Sequence, residues 1–173
     1  MDEECDIVIG YKLKFWPKIT NKRLETLQHT KPPIYKQIRD SSVYAIPKWC
    51  KHTSEEAARY EFHLSFSAVE LTLVKLRTTI EKMLNRIARY IYYKHIRRDS
   101  DHIKSYVIKI IVLWMCEEFD LEHEFQNVHD EEIIAIELGK RFINFTLDKL
   151  NQHYCKHYFI DDVNIIFASG LAV

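Results

Sequence analysis

A mainly helical α+β fold is expected, with a short β-rich N-terminal third feeding a helical bundle. Three observations predict it. Short β-branched and aromatic runs, "DIVIGYKL", "SSVYAIPK" and "RYEFHLSF", precede residue 67. From Val69 onward apolar residues recur at three- and four-residue spacing. Only 3 Gly and 4 Pro occur in 173 residues, 47% of them hydrophobic and 13% aromatic, which fits neither a loop-rich sandwich nor a disordered chain. A chain of this length can bury roughly two-thirds of its unfolded surface in one core.

Taken in order, "DIVIGYKL" reads as a strand ending at the aromatic corner "KFWP". Residues 18–40 are polar and read as a loop with a short helix before the double proline of "KPP". Two further strands, in "SSVYAIPK" and "RYEFHLSF", are joined by the charged segment "WCKHTSEEAA". One long amphipathic helix is then expected from Val69 to about Ile96, with Leu73, Leu76, Ile80, Met83, Ile87 and Tyr90 on its apolar side. Those six positions also fit an a/d heptad, so the helix could pair with a partner. Lys82, Arg86, Arg89 and Tyr93 share its polar face. After "RRDSDH", Ser100 or Asp101 is the expected cap of a second helix through "YVIKIIVLWMCEEF", and a third covers roughly Glu131 to Tyr154. The tail "HYFIDDVNIIFASGLAV" is apolar but aperiodic and should pack on the helices. The expected domains are 1–66 and 67–173.

Net charge is zero, so the molecule as a whole has no electrostatic pull toward nucleic acid or membrane. The charge is segregated, however. Eleven Lys/Arg stand against five acids from Arg59 to Lys109, and nine acids with no Lys or Arg run from Glu117 to Glu137. Neutralisation within the chain, or binding of double-stranded RNA or DNA by the basic helix, would each account for this. The run "YVIKIIVLWMC" is too short and lysine-interrupted to span a bilayer, and no membrane partner is expected. The four scattered cysteines, Cys5, Cys50, Cys116 and Cys155, suit a reducing compartment, cytosol or nucleus, with no signal peptide ahead of them.

Few residues carry chemistry on sight. "CKH" occurs at Cys50–His52 and at Cys155–His157, with His153 four before His157, but such widely separated pairs are an uncommon zinc pattern and no zinc is expected. Glycine is too scarce for a phosphate-cradling loop or a dinucleotide fingerprint, and no nucleophile elbow is present. In "HLSFSAVE", His63, Ser65 and Ser67 alternate ahead of the long helix, where they could bind a nucleobase or phosphate, or serve as turn and cap residues. "IKSYVIK" places Lys104, Ser105, Tyr106 and Lys109 at a helix head, either an anion site with a base-stacking ring or an ordinary helix start.

In order and spacing, "DIVIGYKLKFWP", "YAIPK", "FHLSFSAVE", "IARYI", "SYVIKIIVLWMCEE" and "HYFIDDVNIIF" resemble the C-terminal half of the Mab-21 (male-abnormal-21) family. That family includes cyclic GMP-AMP synthase and the cGAS-like innate immune receptors. The resemblance implies part of a nucleotidyltransferase core followed by a helix-hairpin-helix-like lobe. It implies that Asp6 is the third of three metal-binding carboxylates, for Mg²⁺ or Mn²⁺ carried with an ATP- or GTP-type nucleotide. It further implies nucleotide contacts by His63, Ser65, Ser67, Arg89, Ser105, Tyr106 and Lys109.

The departures are as informative. His63 stands where the family commonly has arginine, and the zinc insert of the DNA-sensing synthase is missing between Ser67 and Ser105. The Gly-Ser motif and the first two carboxylates do not occur in the chain. A lone Asp6 would not hold the metal pair of phosphoryl transfer. The expectation is therefore a truncated Mab-21-type domain, not catalytic alone, with a residual nucleotide-contacting surface and an exposed surface open to homo-oligomerisation. The alternatives are part of an active receptor making cyclic dinucleotides, or a non-catalytic interaction or nucleic-acid-binding module.

Overall fold

The computed structural model of the chain describes residues 9–48, 54, 56, 61–99 and 103–168. It is mainly helical with one small antiparallel sheet, as expected, and divides into two compact units, Met1–Leu76 and Arg77–Val173.

In the first unit, β1 (Tyr11–Lys12), β2 (Tyr44–Pro47) and β3 (Phe62–Ser65) lie in the order β1-β2-β3. Tyr44 pairs with Lys12 on one side and Ser65 on the other, and Ile46 pairs with His63. Of the strand expected in "DIVIGYKL", the described part is strand only at Tyr11 and Lys12. The short helix expected before the double proline is present as α1 (Asn21–Thr30), while the rest of the expected loop at 18–40 holds a 3-10 turn (Lys18–Thr20) and a second helix, α2 (Pro32–Arg39). The double proline starts α2 rather than stopping a helix. Pro32 and Pro33 occupy its first positions, where a missing N–H has no intrahelical acceptor to lose. Trp16 donates from Nε1 to the Arg39 carbonyl (3.0 Å) and its ring lies 6.3 Å from that of Phe66, fixing the aromatic corner. Leu27, Ile38, Val43, Phe66 and Val69 are buried.

The single long helix is not observed. Helix α3 (Ser67–Leu76) ends, Arg77 and Thr78 interrupt, and α4 (Thr79–Ile91) begins afresh. A reciprocal cap causes the break. Thr78 accepts at Oγ1 from the Glu81 N–H (3.2 Å), while its own N–H donates to the Glu81 carboxylate (2.9 Å). The heptad seam from Leu73 to Tyr90 is thereby cut, and Tyr90 ends up exposed. After α4 the chain makes a π-helical turn (Tyr92–Ile96) and the short α5 (Arg97–Asp99).

The second unit is built around α6 (Ser105–Glu118), buried at Val107, Ile108, Ile110, Ile111, Val112, Leu113 and Met115. Its cap position is Lys104, which is extended and makes no side-chain cap bond. The expected caps, Ser100 and Asp101, lie outside the described residues. Asp120 caps the short α7 (Leu121–Phe125), and Asp130 caps α8 (Glu131–Asn151) by accepting from the Glu132 and Ile133 amides (2.8 and 3.3 Å). Helix α8 packs on α4 and α6 through Ile134, Leu138 and Phe142. The acidic run is largely satisfied inside this unit. Glu122 accepts from the Ile80 amide, Glu124 and Glu137 bind Arg141, and Glu118 faces Lys149.

The aperiodic tail is held by side chains. Asn164 accepts from the Cys155 amide (2.9 Å) and the Ile166 amide (3.2 Å), and donates to the His153 carbonyl (2.8 Å). His153 sits at φ 49°. Trp114 donates to the Lys156 carbonyl (2.8 Å) and stacks edge-on with Tyr158 at 5.1 Å. The short α9 (Ile165–Ala168) ends the described chain. No described helix is long and apolar enough to cross a membrane.

Candidate functional site

The residues singled out in the sequence fall on both units. In the first, β3 carries His63 and Ser65, but Ser67 is the first residue of α3 and not a strand position. The strand ends at Ser65 because the chain turns into the helix there. The hydroxyls of Ser65 and Ser67 nevertheless lie 3.1 Å apart, and the Ser67 amide is 3.5 Å from Ser65 Oγ. This is local bonding between the end of β3 and the first residue of α3. His63 is held below the usual histidine range, first by partial desolvation and then by the positive charge of Lys48, so it stays neutral at physiological pH.

In the second unit, Ser105, Tyr106 and Lys109 come together at the head of α6. Ser105 and Tyr106 are its first two residues and both are exposed; Lys109 reaches back one turn so that its ammonium lies 5.1 Å from the centre of the Tyr106 ring. The sequence did not mark a further neighbour, the His157 ring, 6.0 Å from Tyr106. The repeated "CKH" suggests His157 only as a metal ligand. Its Nδ1 instead accepts from the Phe159 and Ile160 amides (3.0 and 3.1 Å), which fixes the ring as a turn cap beside Tyr106.

The head of α6 therefore combines the positive end of a 14-residue helix without a side-chain cap, two lysines and one aromatic face. That set suits an anion attached to a planar ring. Arg89 is placed differently. It is exposed on α4 and its guanidinium lies 5.9 Å from the Tyr93 ring, with Arg97 at 5.6 Å from the same ring.

Asp6, Cys5, Cys50 and His52 lie outside the described residues. Among the described residues no group of three or more His, Cys, Asp or Glu could hold a metal ion. Burial pushes the Cys155 thiol up to about 11, against the pull of Lys149 and with a smaller push from Glu118. At neutral pH it is a protonated, inert group. Alkylation at pH 7.5 followed by mass spectrometry should leave Cys155 unmodified in the native protein and label it once denaturant is added.

Residues 76–170 match the Mab-21 protein HhH/H2TH-like domain, a span that nearly coincides with the unit beginning at Arg77. This match takes in more than half of the chain, and the chain belongs to the Mab-21 family. Comparison with curated proteins gives no match.

Proposed function

We propose that this chain is a Mab-21-type relative of the cGAS-like nucleotidyltransferases that contacts a nucleotide at the head of α6 and does not turn it over alone. One observation carries the reading: Lys109 and Tyr106 are held together at an α6 N-terminus that makes no side-chain cap bond. In this reading Ser105 and the first-turn amides take phosphate oxygens, Lys104 and Lys109 offset their charge, and the Tyr106 ring stacks on the base. His157 holds the tyrosine ring from the side. Two-metal phosphoryl transfer needs several carboxylates around its ions, of which Asp6 would supply one. A cytoplasmic location, and a role beside innate immune receptors, belong to the same reading.

Isothermal calorimetry with ATP or GTP and Mg²⁺ tests it. The wild-type chain should release heat. Stacking on one ring contributes about 1–3 kcal/mol, so Ser105→Ala/Tyr106→Ala should weaken binding roughly tenfold or more. Equal heats for the two proteins, or no heat for either, would remove the reading. Incubation with ATP, GTP and Mg²⁺, with and without double-stranded RNA or DNA, should give no cyclic dinucleotide.

A further inference from the structure

Tyr106 is 37% exposed at the second position of α6. A ring so placed at a helix end has rotamers to choose among, and a ligand that must fix one loses binding energy in doing so. Two side chains stand against this ring. Lys109 carries its ammonium on a flexible four-carbon stem, so an arriving phosphate can draw it away. The His157 ring, centred 6.0 Å from that of Tyr106 and tilted by 40°, is a fixed wall.

The C-terminal loop is what fixes it. His157 is 8% exposed, its Nδ1 accepts from the Phe159 and Ile160 amides, and its own amide donates to the Val163 carbonyl (2.7 Å). The preceding carbonyl, of Lys156, accepts from Trp114 Nε1. The two following residues, Tyr158 and Phe159, are buried, and their rings meet edge-on at 5.0 Å. The loop is thus tied to α6 at Trp114 and presents an aromatic ring to the head of the same helix. Histidine serves both duties at once. An asparagine here could accept from the loop amides but has no ring, and a phenylalanine has the ring but no acceptor.

We propose that His157 is a positioning residue through which the C-terminal loop sets the nucleotide affinity of the α6 head. The loop holds Tyr106 in the orientation in which its ring takes a base, so the ligand does not have to order that side chain itself. This rests on the nucleotide reading given above and goes beyond it, placing control of the site in a segment far along the chain. Because His157 acts through the tyrosine, its ring matters only to ligands that carry a ring of their own. Phosphate oxygens, held by the first-turn amides and the lysines, are indifferent to it.

Calorimetry on His157→Asn separates the two duties, since the asparagine oxygen can still accept from the loop amides. The variant should melt like wild type and bind ATP with Mg²⁺ roughly two- to tenfold more weakly, the cost of ordering one side chain. Inorganic tripolyphosphate, with no ring to stack, should bind both proteins equally. In a Tyr106→Ala background the same substitution should change nothing. His157→Ser, whose hydroxyl can also accept, serves in its place if the melting of the asparagine variant shifts. The inference falls, with the nucleotide reading intact, if wild type and His157→Asn bind ATP equally. It falls too if tripolyphosphate binding weakens by the same factor, or if the effect survives without the Tyr106 ring, which would make His157 itself a ligand contact. No heat from the wild-type chain with ATP would remove both readings together.

Discussion

Phe142→Ala should lower the free energy of unfolding by about 3–5 kcal/mol, the usual cost of emptying a fully buried aromatic site. Phe142 is 1% exposed and lies on the stripe of α8 that packs on α4 and α6. Removing its ring empties a fully buried site on that stripe, and a helix held on either side by the buried Leu138 and Thr146 cannot collapse far enough to refill the space. The neighbouring change, Ile143→Ala, is the control. Ile143 is exposed on the outer side of α8, and its loss should cost less than about 1 kcal/mol, as for most exposed positions. Urea denaturation followed by circular dichroism measures both. Similar midpoints for the two variants would mean that α8 is not seated by its Ile134–Leu138–Phe142 face.

Asn164→Ala is expected to cost about 1–3 kcal/mol, the cost of leaving the part-buried Cys155 amide without its acceptor. The Cys155 and Ile166 amides lose their acceptor and the His153 carbonyl loses its donor. Two backbone bonds across the same loop, from His157 to Val163 and from Ile165 to Cys155, remain and cap the loss. Asn164→Asp should be milder, since it retains the acceptor oxygen for both amides and loses only the bond to His153. Hydrogen exchange sharpens the test, with the Cys155 and Ile166 amides expected to lose protection first. An alanine variant as stable as wild type would show that the tail is held by its buried aromatics alone.

The asparagine also shows how a recognisable motif can mislead about role. "HYFIDDVNIIF" is among the stretches that carry the family resemblance, and a polar residue in such a stretch invites a functional reading. Asn164 is a structural staple, with both ends of its amide bonded to the backbone. His157 is similar, a turn cap that happens to flank Tyr106. By contrast, Ser105, Tyr106 and Lys109 are legible as a group from spacing, because residues one and three apart at a helix start must lie close together.

The helix boundaries are legible where capping chemistry is read and missed where it is not. "TTIE" at 78–81 is a capping box in plain sequence, yet the apolar period runs through it and suggests one helix. The double proline is a similar case, since proline ends a helix from inside but starts one at its first positions. Neither correction needs tertiary information.

Sequence alone determined the helical second unit, its family, the buried character of α6 and the cluster at its head, because these depend on local period, capping and neighbours a few residues apart. Only the tertiary structure decided which way α8 faces. Its aliphatic residues occur on both sides, and Ile133 and Ile134 are indistinguishable by period or propensity. What separates them is the presence of α4 and α6 on one side and solvent on the other, and burial is a property of what a side chain meets, not of the side chain.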